Sequence, residues 1–172
     1  TIYIVGIRSC APLASFLAFY LHMIFPDVRQ VQTNSSSEIF EQMIRITEDD
    51  VVIGISFPRY SMRTMKALEF ANSRKAKVIT ITDSVHSPMN VYAACTLIAK
   101  SDMASIVDSL VAPLSVINAL VVALCMKRQA DVKKTLESME KLWDEYQVYS
   151  NDEINGLDDA RPVSYKHLTL QT

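Results

Sequence analysis

The strongest constraint on how this chain can fold is the character of its apolar runs. Ile2-Tyr3-Ile4-Val5, Val51-Val52-Ile53-Gly54-Ile55 and Val78-Ile79-Thr80-Ile81 are continuous rather than alternating. A strand that is apolar on both sides must be covered on both faces. Strands are therefore expected over residues 2–7, 28–33, 51–55, 76–82 and 94–99. Helical patterns fall between them over 11–25, from 36 onward and over 62–73, and two helices at about 108–127 and 131–149 close the chain. Ser35-Ser36-Ser37-Glu38 has the form of a capping box opening the second of these helices. Strands joined by helices and covered on both faces imply a parallel sheet with right-handed crossovers. The expected fold class is thus α/β, a three-layer arrangement with a five-stranded parallel sheet flanked by helices.

Composition narrows the function classes. The 172 residues carry 17 Lys+Arg against 19 Asp+Glu, a formal charge of -2, so no chain-wide electrostatic footprint for nucleic acid or an anionic membrane exists. With 49% hydrophobic and 21% charged residues, the chain can build a packed core. Cys10, Cys95 and Cys125, like His22, His86 and His167, are too scattered for a disulfide framework or a metal cluster. No metal and no cofactor is expected, and the cysteines suit a reducing, cytoplasmic setting. The eighteen uncharged residues 109–126 reach the lower length limit for a bilayer span. Pro113, Ser115 and Asn118 interrupt that run and a charged helix follows it, so it reads as a buried core or dimer-interface helix. No signal peptide is visible, and the opening on an apolar run without Met reads as a piece of a longer protein. Residues 151–172 break the pattern and read as a disordered or non-native tail, leaving 1–150 as one domain.

Parallel sheets bind ligands outside the carboxyl ends of their strands, where the strand order reverses. Three such loops are rich in hydroxyls and helix starts. After the first strand comes Gly6-Ile7-Arg8-Ser9, in which Gly6 suits a tight turn, Ser9 can cap a helix and Arg8 offers a forked donor. After the third strand, Ser56, Ser61 and Thr64 surround the start of a helix, with Arg59 in the turn. Hydroxyls together with free amides at a helix start are what a phosphate monoester requires. The loop after the fourth strand supplies Thr82, Asp83, Ser84 and Ser87. The basic residues Arg59, Arg63, Lys66, Arg74, Lys75 and Lys77 read chiefly as a solvated helix face, without any helix-turn-helix pattern for DNA.

From residue 2 to about 126 the chain resembles the SIS (sugar isomerase) domain, specifically the effector domain of RpiR/MurR-type bacterial transcription regulators. The resemblance rests on residues 4–9, 52–61, 76–83 and 87–88, in matching order and spacing. It implies a flavodoxin-like sheet that binds phosphosugars. The serine of the first loop and a Ser-x-Ser-Gly-x-Thr/Ser loop would hold the phosphate, here Ser9, Ser56 and Ser61. The sequence departs from that pattern at Pro58, in place of the second serine, and at Arg59, in place of glycine. The expected ligand-binding set is Arg8, Ser9, Ser56, Arg59, Ser61, Thr64, Thr82 and Ser87, with no catalytic residue. The resemblance also implies a phosphorylated sugar as effector, and DNA binding only through an N-terminal helix-turn-helix domain outside this chain. Two other readings compete: a sugar-phosphate isomerase, for which His86, Glu38, Glu41, Asp102 and Asp108 are thin candidate bases, and a dimerisation module with a vestigial pocket. A homodimer is expected because the 109–126 helix is apolar all round, and because Val132, Leu136, Met139, Trp143, Tyr146 and Tyr149 form an apolar stripe on the last helix.

Overall fold

A computed structural model describes residues 1–32, 36–102 and 108–148. The chain divides into two units, Thr1–Thr135 and Leu136–Thr172. In the first unit the order is β1 (Ile2–Gly6), α1 (Ala11–Ile24), β2 (Val28–Val31), α2 (Ser36–Met43), β3 (Val51–Ile55), α3 (Met62–Ser73), β4 (Lys77–Thr82), β5 (Cys95–Ile98), α4 (Val111–Lys127) and the start of α5 (Gln129–Glu145). Short 3-10 turns at Arg8–Cys10 and Pro88–Tyr92 follow the loops after β1 and β4, and the sequence pattern does not announce them. Ser35, the first residue of the expected capping box, and Tyr149, the last of the expected stripe, lie outside the described residues, as do 151–172.

All five strands are parallel, in the order β2-β1-β3-β4-β5. The expected three-layer α/β architecture is present. Alternate residues of each strand serve opposite faces, as the two-residue period requires. Ile4, Ile53, Ile55 and Ile81 pack with Leu13, Leu17 and Leu21 of α1 and Ile117 and Val121 of α4. Tyr3, Val5, Val52 and Val78 pack on the other face with Ile39 and Met43 of α2 and Ala67, Leu68 and Ala71 of α3. Among the described part of α5, Val132 joins the first of these cores, and no residue of the helix is fully buried.

Two glycines let helices approach the sheet. A Cβ on Gly6 would lie 2.7 Å from the Cys10 carbonyl oxygen and 2.8 Å from the Ala14 Cβ. One on Gly54 would meet Leu68 at 2.8 Å. Gly6 does not have a positive φ, so the reason for glycine there is contact with α1 and not the tight turn expected from sequence.

Helix α4 has a buried side and an exposed side. It buries Pro113, Ile117 and Val121, yet Val111 is 74% exposed, Val122 57% and Met126 55%. Among the described residues the uncharged run is therefore covered on one side only. No single described helix is long and apolar enough to cross a membrane.

Because the atoms facing Gly6 are backbone and a helix-core Cβ, they can yield only by lifting α1. Gly6→Ala should lower stability by about 1–3 kcal/mol, read as a lower urea midpoint at unchanged slope. An unchanged midpoint would mean that α1 is not seated on β1 in this way.

Candidate functional site

The strand order reverses between β1 and β3, since β2 lies on one side of β1 and β3 on the other. The loops after β1, β3 and β4 therefore emerge side by side at one edge, and three contacts brace them. Cys10 and Phe57 are buried in the same core, joining the loop after β1 to the loop after β3. Burial pushes the Cys10 thiol up from its ordinary range, so it stays protonated and acts as an apolar plug beside Phe57. The Tyr60 hydroxyl donates to Asp83 Oδ1 at 2.8 Å, joining the loop after β3 to the one after β4. Burial, and then the Asp83 carboxylate, push the Tyr60 phenol up, so it remains a donor. Asn90 accepts from Thr80 and Thr96 at 2.8 and 3.1 Å and donates to the carbonyls of Ser84 and Val85 at 3.0 Å each, fastening the 83–87 loop.

Within the loop after β3, the hydroxyls already have structural work. Ser56 is buried, and its Oγ accepts the Ser61 amide at 3.0 Å, closing residues 56–61 into a tight loop. Ser61 caps α3 by accepting the Thr64 amide at 3.4 Å, as its position before Met62 predicts. In both bonds the hydroxyl is the acceptor, so each O–H remains available to donate to an anion. Thr64 is fully buried, and its Oγ1 is the buried side-chain atom left without a partner among the described residues. Such orphans are rare in folded proteins.

Thr82 and Ser87 are buried against each other. The Thr82 hydroxyl donates to Ser87 Oγ at 3.0 Å and approaches Asp83 Oδ1 at 3.2 Å. They brace the loop after β4 instead of lining its surface. Ser9 is exposed and does not cap α1: the 3-10 turn Arg8–Cys10 intervenes, and the capping position falls on Cys10, which makes no side-chain cap.

Among the described residues, four that are not glycine have a positive φ: Arg8 at 58°, Arg59 at 62°, Lys75 at 62° and Gln147 at 48°. Lys75 and Gln147 follow the ends of α3 and α5, where a left-handed residue commonly ends a helix. Arg8 and Arg59 have no such excuse. Both precede helices, both are exposed, and neither guanidinium has a partner among the described residues. A left-handed L-residue costs roughly 1–2 kcal/mol, and strain of this sort clusters at ligand clamps and active sites. A left-handed residue leading into a right-handed turn also directs successive amides toward one side, an anion-binding arrangement. Of the other basic residues, Lys66, Arg74, Lys75 and Lys77 are exposed on or after α3, and Arg74 stacks on Phe70 at 5.2 Å.

A cleft of about 370 Å³ opens beside this edge, lined by Arg8, Ser15, Gln30 and Gln32 among others. Sequence reasoning missed these glutamines. Their only signal was two amides at alternate positions near the end of an edge strand, which resembles an ordinary solvated face. No group of His, Cys, Asp and Glu able to hold a metal occurs among the described residues.

A sequence profile of the SIS domain matches residues 1–123. Among solved structures, the chain is similar to the sugar isomerase domain of the RpiR transcription factor from Sphaerobacter thermophilus, at 24% identity over 81% of this chain and 78% of that one, with a TM-score of 0.76. It is also similar to the Vibrio vulnificus NanR protein complexed with ManNAc-6P, at 17% identity and a TM-score of 0.71, covering 87% of this chain and 56% of that one. A Methanococcus jannaschii protein whose structure infers a 3-hexulose-6-phosphate isomerase function is similar at 14% identity and a TM-score of 0.57, over 78% and 75% of the two chains. At these identities the likeness is one of fold, and it spans regulators and an inferred enzyme alike. Comparison with curated proteins finds no match. The five parallel strands, the hydroxyl-bearing loops at their carboxyl edge and the profile match over residues 1–123 together make this chain a member of the SIS domain family.

Proposed function

We propose that this chain is the phosphosugar-sensing effector domain of an RpiR-type DNA-binding transcriptional regulator, cytoplasmic and non-catalytic. The observation that carries the reading is the pair of strained arginines without a partner among the described residues, Arg59 within the Ser56–Ser61 loop and Arg8 in the neighbouring loop after β1, where the strand order reverses. Two guanidinium groups, two donating hydroxyls and the first amides of α3 suit a phosphate dianion. The likeness to the RpiR sugar isomerase domain and to NanR, whose structure holds ManNAc-6P, supports a sugar phosphate and a regulatory context. In the intact regulator, DNA contact belongs to a separate helix-turn-helix domain.

An aldose–ketose isomerase needs a positioned base to move a proton between carbons. Asp83 is held by Tyr60 and Thr82, and His86 is exposed, its backbone amide donating to Ser84 and its ring without a partner among the described residues. The exposure of His86 supports sensing over turnover, while Asp108, whose charge reaches the Cys10 thiol, is the carboxylate left to the isomerase reading. Assay with aldose and ketose phosphates separates the two readings, and measurable interconversion would establish the enzyme.

Arg59 provides the sharper test, because its strain and its proposed function have opposite signs. Arg59→Gly installs the residue best suited to that backbone and removes the cation. The unliganded domain should be at least as stable toward urea, while calorimetric affinity for its sugar phosphate falls at least about tenfold, the worth of one charge-assisted hydrogen bond. Unchanged affinity would return Arg59 to a solvated role.

The uncovered face of α4 supports a homodimer. Val111, Val122 and Met126 are exposed on a helix whose only charge is its final residue, Lys127. Sedimentation should show a dimer at micromolar concentrations that dissociates on Val122→Lys, whereas a stable monomer would contradict this assembly.

A further inference from the structure

We propose that the cleft between β2 and the start of α1 is the half of the site that reads the sugar, with Gln30 and Gln32 as its specificity-determining residues. The inference rests on the phosphosugar reading above and adds to it where the body of the ligand lies and what chemistry that body has. The loop after β3 approaches the phosphate from one side of β1, and the cleft opens on the other side, toward β2. Two strand spacings, about 10 Å, separate β3 from β2. That span suits a phosphate carrying a sugar and is too long for phosphate alone. Arg8, in the turn that follows the intervening strand, lines the cleft and so stands between the two halves.

The cleft is wired by a one-way chain of hydrogen bonds. The Gln32 side-chain amide donates to Gln30 Oε1 at 3.1 Å, Gln30 donates to Ser15 Oγ at 2.7 Å, and Ser15 donates to the Ala11 carbonyl at 3.1 Å. This order fixes which end of each amide is oxygen and which is nitrogen. Each amide keeps a second N–H, and Gln32 keeps its carbonyl oxygen, for a visitor. Gln32 is also held from behind, because Gln42 of α2 donates to its backbone carbonyl at 2.6 Å and accepts its amide at 3.2 Å. Oriented amides offering both donors and acceptors match neutral hydroxyl or acetamido groups, which likewise both donate and accept. Among the described residues the lining contains no carboxylate, which disfavours a cationic body such as an amino sugar, and Arg8 disfavours it further. The ligand class is therefore a phosphorylated sugar with a neutral polyhydroxy or N-acylated body.

The test compares the intact chain with Gln30→Leu and Gln32→Leu in calorimetric titrations against inorganic phosphate and a panel of sugar phosphates: glucose 6-phosphate, N-acetylmannosamine 6-phosphate, ribose 5-phosphate and glucosamine 6-phosphate. The wild-type chain should bind at least one neutral-bodied member more tightly than inorganic phosphate and more tightly than glucosamine 6-phosphate. Each leucine variant should lose at least about tenfold in affinity for that sugar phosphate, the loss expected when one partner of a polar contact is removed. Its affinity for inorganic phosphate should stay within about twofold. If a leucine variant does not fold, Gln32→Asn, which retracts the amide by one methylene, should show the same split. Sugar and inorganic phosphate affinities that fall together, or neither falling, would overturn the assignment of the glutamines. A wild-type chain that binds inorganic phosphate but no sugar phosphate more tightly would overturn the sugar-reading cleft while sparing the anion site. Binding of neither would overturn both.

Discussion

The pairing of β1 with β3, in register from Ile2↔Val51 to Gly6↔Ile55, is the contact on which the rest of the molecule depends. It places the reversal of strand order at the centre of the sheet and aligns the ends of the two strands that carry Arg8 and Arg59. Parallel strands all finish at the same edge, so each loop leaving that edge brings a fresh helix start and its unpaired amides. Gly6 then allows α1 to settle on β1 with the Cys10 carbonyl against the strand. That settling places the Cys10 thiol against Phe57, and the first two loops become one wall.

The polar residues of this edge divide between bracing and display. Thr82, Ser87, Asp83 and Tyr60 spend their hydrogen bonds on one another, and Ser56 spends its acceptor capacity on Ser61. What remains outward is cationic: two arginines whose backbone strain the braced loops sustain. A buried hydroxyl network can sustain such strain because breaking it would leave several polar groups unsatisfied at once. This division accounts for the departure from the Ser-x-Ser-Gly pattern. The backbone at residue 59 keeps the left-handed conformation that glycine adopts readily, while the side chain gains a charge that glycine lacks.

The fold was largely legible in the residues. Burial on both faces writes continuous Val and Ile runs, so β1, β3 and β4 announced themselves, and the helix expected over 62–73 is α3. The site was legible as a set of residue types at strand ends but not as an arrangement. Nothing local distinguishes Thr82 and Ser87, which bond each other, from Ser56 and Ser61, which accept backbone amides and keep an O–H to donate, because the distinction is set by contacts across loops. The left-handed backbone at Arg8 and Arg59 was hidden for a related reason: arginine has no intrinsic preference for it, and only the surrounding structure imposes it. Gln30 and Gln32 were invisible because an amide on an edge strand looks the same whether it faces bulk water or a cleft. The apolar run in α4 was read as a helix too apolar for one chain to cover, and the exposed Val111, Val122 and Met126 agree with that.

The central claim is that an anionic ligand sits where the loops after β1 and β3 meet. Backbone amide shifts of the isotope-labelled chain, followed through titration with a sugar phosphate, test it most directly. The account predicts saturable shifts concentrated at the amides of Arg8, Ser9, Arg59, Ser61 and Thr64, with smaller changes at Gln30 and Gln32. Shifts confined to the 3-10 turn Pro88–Tyr92 or to α4, with the amides of Arg8 and Arg59 unmoved at saturation, would contradict it.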